Sequence, residues 1–223
     1  MHNVLDNILE SKPANGTPSP LHPLLSRRRS TRAFSEQPVD PAALRSVLEA
    51  ARWAPSASNN QPWRFVVATG DDPVLFERML SLLADANRLW ASKAPVLILT
   101  AARVADENGR QLHKFAYHDV GQATAHLTMQ ATSLGLSVHQ MGGFDVQRAK
   151  QLLDIPVEYE PVVILALGYE GSMESLPGFL QEREVAPRIR KPLSELVFER
   201  SWDQPSPLVS GNGKDIVNNS INN

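Results

Sequence analysis

Arg28-Arg29-Ser30-Thr31-Arg32 places three arginines and two hydroxyls in five consecutive residues. A guanidinium is a planar fork of donors that matches phosphate oxygens two at a time, and a serine hydroxyl adds a further donor. Arg28, Arg29, Ser30 and Arg32 are therefore candidate phosphate ligands; the plainer alternative is a solvated basic turn before a helix. A second run, Pro55-Ser56-Ala57-Ser58-Asn59-Asn60-Gln61-Pro62-Trp63, is small and polar and closes on a stiff Pro-Trp pair. Small side chains let its backbone amides approach a flat ring, whereas the alternative is a polar connection ahead of a buried Trp63. A third signal, Gly142-Gly143-Phe144-Asp145, follows an apolar segment that ends at Met141. Glycine removes the side chain that would otherwise keep a backbone away from a ligand. The fourth is Arg188-Ile189-Arg190-Lys191-Pro192-Leu193, in which an extended backbone puts Arg188 and Arg190 on one side. It reads either as two more phosphate ligands or as a surface strand.

The elements that must position these runs follow from capping and periodicity. Asp40-Pro41 reads as an N-cap followed by proline at the first helical position, and Leu44, Val47, Leu48 and Ala51 continue at helical spacing until Pro55 ends the helix. Phe65 to Thr69 reads as a strand. Asp72-Pro73 repeats the cap signal and opens a helix through about Leu83. Pro95 to Ala101 and Pro161 to Leu167 are continuous apolar runs, the pattern of strands buried on both faces. A long helix is predicted from about Gln111 to Leu134, with Gly135 as the left-handed residue that terminates it. Leu136 to Met141 reads as a strand, and Asp145 caps a short helix through Leu153. Helices alternating with apolar strands predict an α/β or α+β fold around one sheet. The domain limits expected are an extended Pro-rich arm over 1–23, one domain over 24–202, and a polar tail over 203–223.

Composition narrows the function classes. Lys and Arg total 22 against 24 Asp and Glu, a formal charge of −2, which argues against a general nucleic-acid binder. The absence of cysteine excludes disulfides, thiol catalysis and cysteine metal sites, and fits a reducing, cytoplasmic setting. No stretch approaches the ~18 apolar residues of a membrane span, and Met1 to Glu10 has no basic start followed by an apolar core. His113, His118, Asp119 and His126 share the long helix, but their separations do not follow the i, i+4 spacing of a helical zinc pair, so no metal is expected. His139 is read as a satisfied core histidine ahead of a pocket edge. No Gly-x-Gly-x-x-Gly follows a strand, Gly211-Asn212-Gly213-Lys214 lacks the phosphate-loop pattern, and no Gly-x-Ser-x-Gly elbow is present.

Taken in order, the Arg-x-Ser-x-Arg start, the Pro-Ser-x-x-Asn-x-Gln-Pro-Trp loop, the Gly-Gly-Phe-Asp turn and the Arg-x-Arg-x-Pro-Leu segment resemble the nitroreductase family of FMN enzymes over roughly residues 24–198. The resemblance implies an α+β fold, an α/β sandwich with a central, mostly antiparallel sheet flanked by helices, in an intertwined homodimer with FMN at the interface. It implies that Arg28, Arg29 and Ser30 meet the FMN phosphate and ribityl chain. Arg32 would meet the pyrimidine edge, and Pro55, Ser56, Ala57, Asn59 and Gln61 the flavin of the partner subunit. Met141, Gly142 and Gly143 would lie over the ring near N5, Asn87 would contact the flavin, and Arg188 and Arg190 would close on the phosphate. No side chain is expected to be catalytic, because hydride passes through flavin N5 from transiently bound NAD(P)H to a small electron-poor acceptor such as a nitroaromatic or quinone, in ping-pong fashion. Relatives often carry a second hydroxyl where this chain has Ala57, and some a Glu where it has Gly142. The same fold would also serve an enone reductase, a reductive dehalogenase, an enzyme that degrades its own flavin, or a flavin-binding redox sensor without turnover. A non-flavin interaction domain is the alternative from outside the class.

Overall fold

Two apolar runs organise the sheet. In the computed structural model, which describes residues 19–106, 108–112 and 115–209, they form the two central strands, β2 (Val96–Arg103) and β4 (Tyr159–Gly168). β1 (Trp63–Thr69) flanks β2 and β3 (Ser137–Met141) flanks β4, giving the order β1-β2-β4-β3. Every pairing is antiparallel, with Phe65 opposite Thr100, Ile98 opposite Leu165 and His139 opposite Ala166. The register of β2 against β4 shifts between Thr100 and Ala101. The sheet is antiparallel and helix-flanked, as the resemblance implies.

The helices are α1 (Pro23–Arg27), α2 (Pro41–Arg52), α3 (Pro73–Leu80), α4 (Asp85–Ala91), α5 (Ala116–Ser133), α6 (Val146–Leu152) and α7 (Gly178–Val185). All three capping aspartates act as expected: Asp40 accepts from the Ala42 amide at 2.6 Å, Asp72 from Leu75 at 2.9 Å and Asp145 from Arg148 at 2.9 Å. Gly135, at φ +76°, follows the end of α5. Alternate residues of β2 then serve opposite cores. Leu97, Leu99 and Ala101 pack with Met79, Trp90, Ala149 and Leu180 of α3, α4, α6 and α7. Val96, Ile98 and Ala102 pack with Val47 and Ala51 of α2 and with Val120, Ala123 and Leu127 of α5. The period-2 alternation of a strand thus converts one apolar run into two cores.

Two boundaries differ from expectation. α3 stops at Leu80 rather than near Leu83, because Leu83 forms a bridge with Phe144 and the Leu82 carbonyl takes the Asp145 amide. α5 begins at Ala116 rather than Gln111, since Gln111 is bridged to Ala105. α4 and α7 were not anticipated.

The chain forms two compact units. The larger is Arg27–Val185 and contains the sheet. The smaller takes in both ends, Met1–Ser26 and Ala186–Asn223, of which 19–26 and 186–209 are described. In the smaller unit Phe198 and Trp202 pack with ring centroids 5.3 Å apart, and the Ser206 amide bonds the Val197 carbonyl. Most of the Pro-rich arm and of the polar tail lies outside the described residues. Among the described residues no helix is long and apolar enough to cross a membrane.

Candidate active site

The Arg28–Arg32 strip enters the larger unit as an extended segment, and a single side chain from the far end of that unit fastens it. Glu184, in the last turn of α7 and only 8% exposed, accepts the Arg32 amide at 2.8 Å and the Arg32 guanidinium at 3.3 Å on Oε1. Its Oε2 accepts the Thr31 hydroxyl at 3.2 Å, and its main-chain carbonyl accepts the Arg29 guanidinium. The Thr31 hydroxyl in turn takes the Ala33 amide at 3.1 Å. The strip then continues alongside the segment after β4, where the Ala33 carbonyl takes the Gly171 amide at 2.8 Å and the Ser35 amide bonds Tyr169 at 2.9 Å. Arg28 donates to Ser30 Oγ at 3.1 Å, and Ser30 is exposed.

His139 connects this strip to the glycine turn. It stands on β3, two residues before Met141, and its Nδ1 lies 2.9 Å from the Thr31 carbonyl. A carbonyl only accepts, so Nδ1 carries the proton in the neutral ring. Burial pushes the His139 pKa below its ordinary value, the Thr31 bond opposes this in part, and the nearby Arg32 charge lowers it further. Trp90 of α4 covers the ring at 4.5 Å between centroids and also stacks on Phe34 at 6.1 Å. The satisfied-histidine reading of His139 is the one its contacts match.

One turn earlier in α4, Asn87 donates its amide to the Gly143 carbonyl at 3.4 Å, and the Ala84 amide reaches the same oxygen at 3.0 Å. The strip is thus linked through the Thr31 carbonyl to His139, through His139 to Trp90, and along α4 to Asn87 and the Gly143 carbonyl. Gly142 and Gly143 are both exposed, and a Cβ added at Gly142 would meet nothing within 4 Å. Gly142 therefore presents bare backbone to open space, whereas a Cβ at Gly143 would press on Asn87 Nδ2 at 3.3 Å and meet Ala84 at 3.7 Å.

The Pro55–Gln61 loop is fastened on the opposite face of the sheet. The Ala57 amide donates to Oδ2 of Asp119 at 3.1 Å, in the first turn of α5. Asp119 is 3% exposed, and its Oδ1 lies 3.2 Å from His118 Nδ1. Ser58, Asn59 and Gln61 adopt φ of 51°, 54° and 45°, in the left-handed region that non-glycine residues seldom occupy. The Gln61 amide bonds Ser56 Oγ at 3.0 Å, and the Gln61 side chain bonds Asn59 Oδ1 at 3.1 Å. Ahead of the loop, Trp53 donates its indole N–H to Glu49 at 2.8 Å, and Arg52 binds both oxygens of the same carboxylate. These hydrogen bonds, Arg52 first, pull the Glu49 pKa to about 2. A strained loop over-determined by its surroundings is common at functional sites.

Arg188 and Arg190 belong to the smaller unit, where Arg188 donates to the Ser26 carbonyl at 2.7 Å and Arg190 to the Ile189 carbonyl at 2.8 Å. Among the described residues no group of three or more His, Asp or Glu is placed to hold a metal ion. Sequence reasoning missed Glu184 altogether and read Asp119 only within a histidine cluster. Neither lies at a fixed spacing from the segment it holds.

An antiparallel, helix-flanked sheet differs from the parallel sheet of a dinucleotide-binding domain. A match to the nitroreductase family covers residues 25–169, and the chain belongs to that family of oxidoreductases. A solved structure described as an oxidoreductase containing FMN superposes with a TM-score of 0.79 at 37% identity, covering 86% of this chain and 98% of that one. A 15.4 kDa protein of Mycolicibacterium smegmatis is 33% identical over 149 residues, which is 64% of this chain and 99% of that protein. An NADH dehydrogenase of Thermus thermophilus is 29% identical over 174 residues, covering 64% of this chain and 83% of its own.

Proposed function

We propose that this protein is an FMN-dependent oxidoreductase that works as a homodimer and carries hydride from NAD(P)H to an electron-poor acceptor, a nitroaromatic or a quinone, in two half-reactions at one place. The observation that carries this reading is the open backbone at Gly142, next to Gly143, whose carbonyl is held by Asn87 of the helix that also carries Trp90, the ring over His139 and so beside the Arg28–Arg32 strip. A flat ring needs a surface without side chains, and its phosphate-bearing chain needs cations and hydroxyls nearby; the donor set here fits both ends of FMN. The 37% identical structure described as containing FMN supports the same cofactor. When bound, FMN supplies the two-electron hydride chemistry at N5.

The residues then divide the work of binding and orientation. The half-buried Arg28 and the exposed Ser30, already bonded to each other, are the donor pair for the phosphate and ribityl oxygens. Arg29 stiffens the strip through the Glu184 carbonyl, and Arg32 offers its guanidinium to the pyrimidine edge. Met141, Gly142 and Gly143 leave the ring face clear for nicotinamide and acceptor in turn, with Asn87 holding the turn from behind. Pro55, Ser56, Ala57, Asn59 and Gln61 project their polar loop to the flavin of the partner subunit.

The test is the visible spectrum of the purified protein before and after anaerobic NADPH. Oxidised-flavin bands that bleach with NADPH and return on adding a quinone are expected. A colourless protein that takes up no added FMN would overturn the proposal.

A further inference from the structure

We propose that Glu184, outside every motif of the chain, is the positioning residue of the cation strip: it fixes the backbone of Thr31–Ala33, aims Arg32 and takes up part of the Arg32 charge. The inference deepens the flavin reading above, and its redox half rests on it.

Four donors converge on this one residue, and all come from Arg29, Thr31 and Arg32. Three of them reach the buried carboxylate and the fourth the main-chain carbonyl, and hydrogen bonds to a charged group are stronger than those between neutral groups. The Arg32 amide and guanidinium share Oε1, so the direction of the side chain is set with the backbone rather than left to solvent. Arg28 and Ser30, by contrast, bond to each other at an exposed position. The strip is therefore asymmetric: one end carries the exposed Ser30 hydroxyl beside Arg28, and the other is clamped, its cation compensated by an anion 3.3 Å away. A cation at the pyrimidine edge of a flavin stabilises the reduced, anionic form, and an anion paired with that cation moderates the effect. Glu184 thereby sets how strongly Arg32 raises the reduction potential.

Two variants separate the two roles. Glu184→Gln keeps an oxygen for the Arg32 amide but removes the charge. Glu184→Ala removes both. In the protein free of flavin, amide hydrogen exchange at Arg32 is expected to stay near the wild-type rate in E184Q and to become at least about tenfold faster in E184A, the scale of losing one charge-assisted bond. With FMN bound, the midpoint potential of E184Q is expected to move to more positive values, a readout that a merely structural role would leave in place. E184A is expected to bind FMN roughly tenfold more weakly. Unchanged Arg32 exchange in a folded E184A, or an unchanged potential in E184Q, overturns the inference; if E184A does not fold, the E184Q potential decides it. Wild-type protein that takes up no FMN would instead sink the flavin reading, and the exchange rates would then decide the positioning role by themselves.

Discussion

Removing the Asp119 carboxylate should loosen the Pro55–Gln61 loop and destabilise the larger unit. Asp119 holds the loop by one charge-assisted bond from the Ala57 amide at 3.1 Å. A bond of that kind contributes about 1.5–3 kcal/mol. A negative charge in the first turn of α5 adds about 0.3–1 kcal/mol through the helix dipole. Against these stands the strain of Ser58, Asn59 and Gln61 at positive φ. Each such residue costs roughly 1 kcal/mol, less for asparagine, so the loop stores on the order of 2–3 kcal/mol. Asp119→Ala lets the loop relax and recover part of that strain, which offsets some of the loss. The net expectation is a destabilisation of about 2 kcal/mol, or roughly 4–8 °C in the thermal midpoint for a unit of this size. Asp119→Asn retains an acceptor oxygen and should cost about 1 kcal/mol or less. The assay is urea unfolding of both variants together with amide exchange at Ala57. An Asp119→Ala protein with a wild-type midpoint and a still-protected Ala57 amide would refute the argument that this carboxylate holds the loop.

The pKa of His139 is lowered in the folded protein, so the unfolded chain binds the extra proton first, near pH 6.5. Its contribution to stability is complete above that pH and is lost as pH falls through the folded value, with a slope of at most about 1.4 kcal/mol per pH unit; His139→Gln should flatten the fall in thermal midpoint between pH 7 and 5, and identical profiles would count against it. Gly142→Ala places its Cβ where nothing of the protein lies within 4 Å, so the stability of the flavin-free protein should stay within about 0.5 kcal/mol of wild type while FMN binding weakens by about tenfold or more. Loss of folding, or undiminished FMN uptake, would go against the open-face reading. If Ser56 and Asn59 serve the flavin of a second subunit, FMN should dissociate more readily as the protein is diluted through the range where sedimentation shows monomer; equal affinity in monomer and dimer would exclude a shared site.

Much of the scaffold was legible because it rests on local rules. Asp40, Asp72 and Asp145 each precede a helix and each bonds an amide two or three residues on. The runs at 95–101 and 161–167 became the central strands because only a strand covered on both faces tolerates continuous apolar sequence. What was not legible lacks local signals. α4 starts after Ala84 with no side-chain cap, and seven residues hold too little periodicity to be read. α7 begins at a glycine, which argues against a helix by propensity, and is secured instead by Leu180 in the core. The early end of α3 is set by Phe144 and Asp145, more than 60 residues on, which no window along the chain can see.

The candidate site divides along the same line. The residues proposed to face the ligand stand out in the sequence because ligand chemistry restricts residue type: arginine and serine for phosphate, glycine beneath a ring. The anchors do not, because a buried carboxylate is selected by what converges on it in space. Glu184 lies 152 residues from Arg32, and Asp119 lies 62 from Ala57. The two anchors share one physical logic. Each takes a backbone amide from a segment that carries few apolar side chains of its own, and so cannot be fixed by packing. The strip is polar and the loop is strained, which means that hydrophobic burial, the main source of stability elsewhere in the unit, is of little use to either. A charge-assisted bond to a rigid helix end is the remaining way to hold them, and it costs the desolvation of one carboxylate each. That cost is acceptable only where a segment must keep one shape while presenting bare backbone and cations to something else, which is why these two carboxylates mark the site as clearly as the motifs they support.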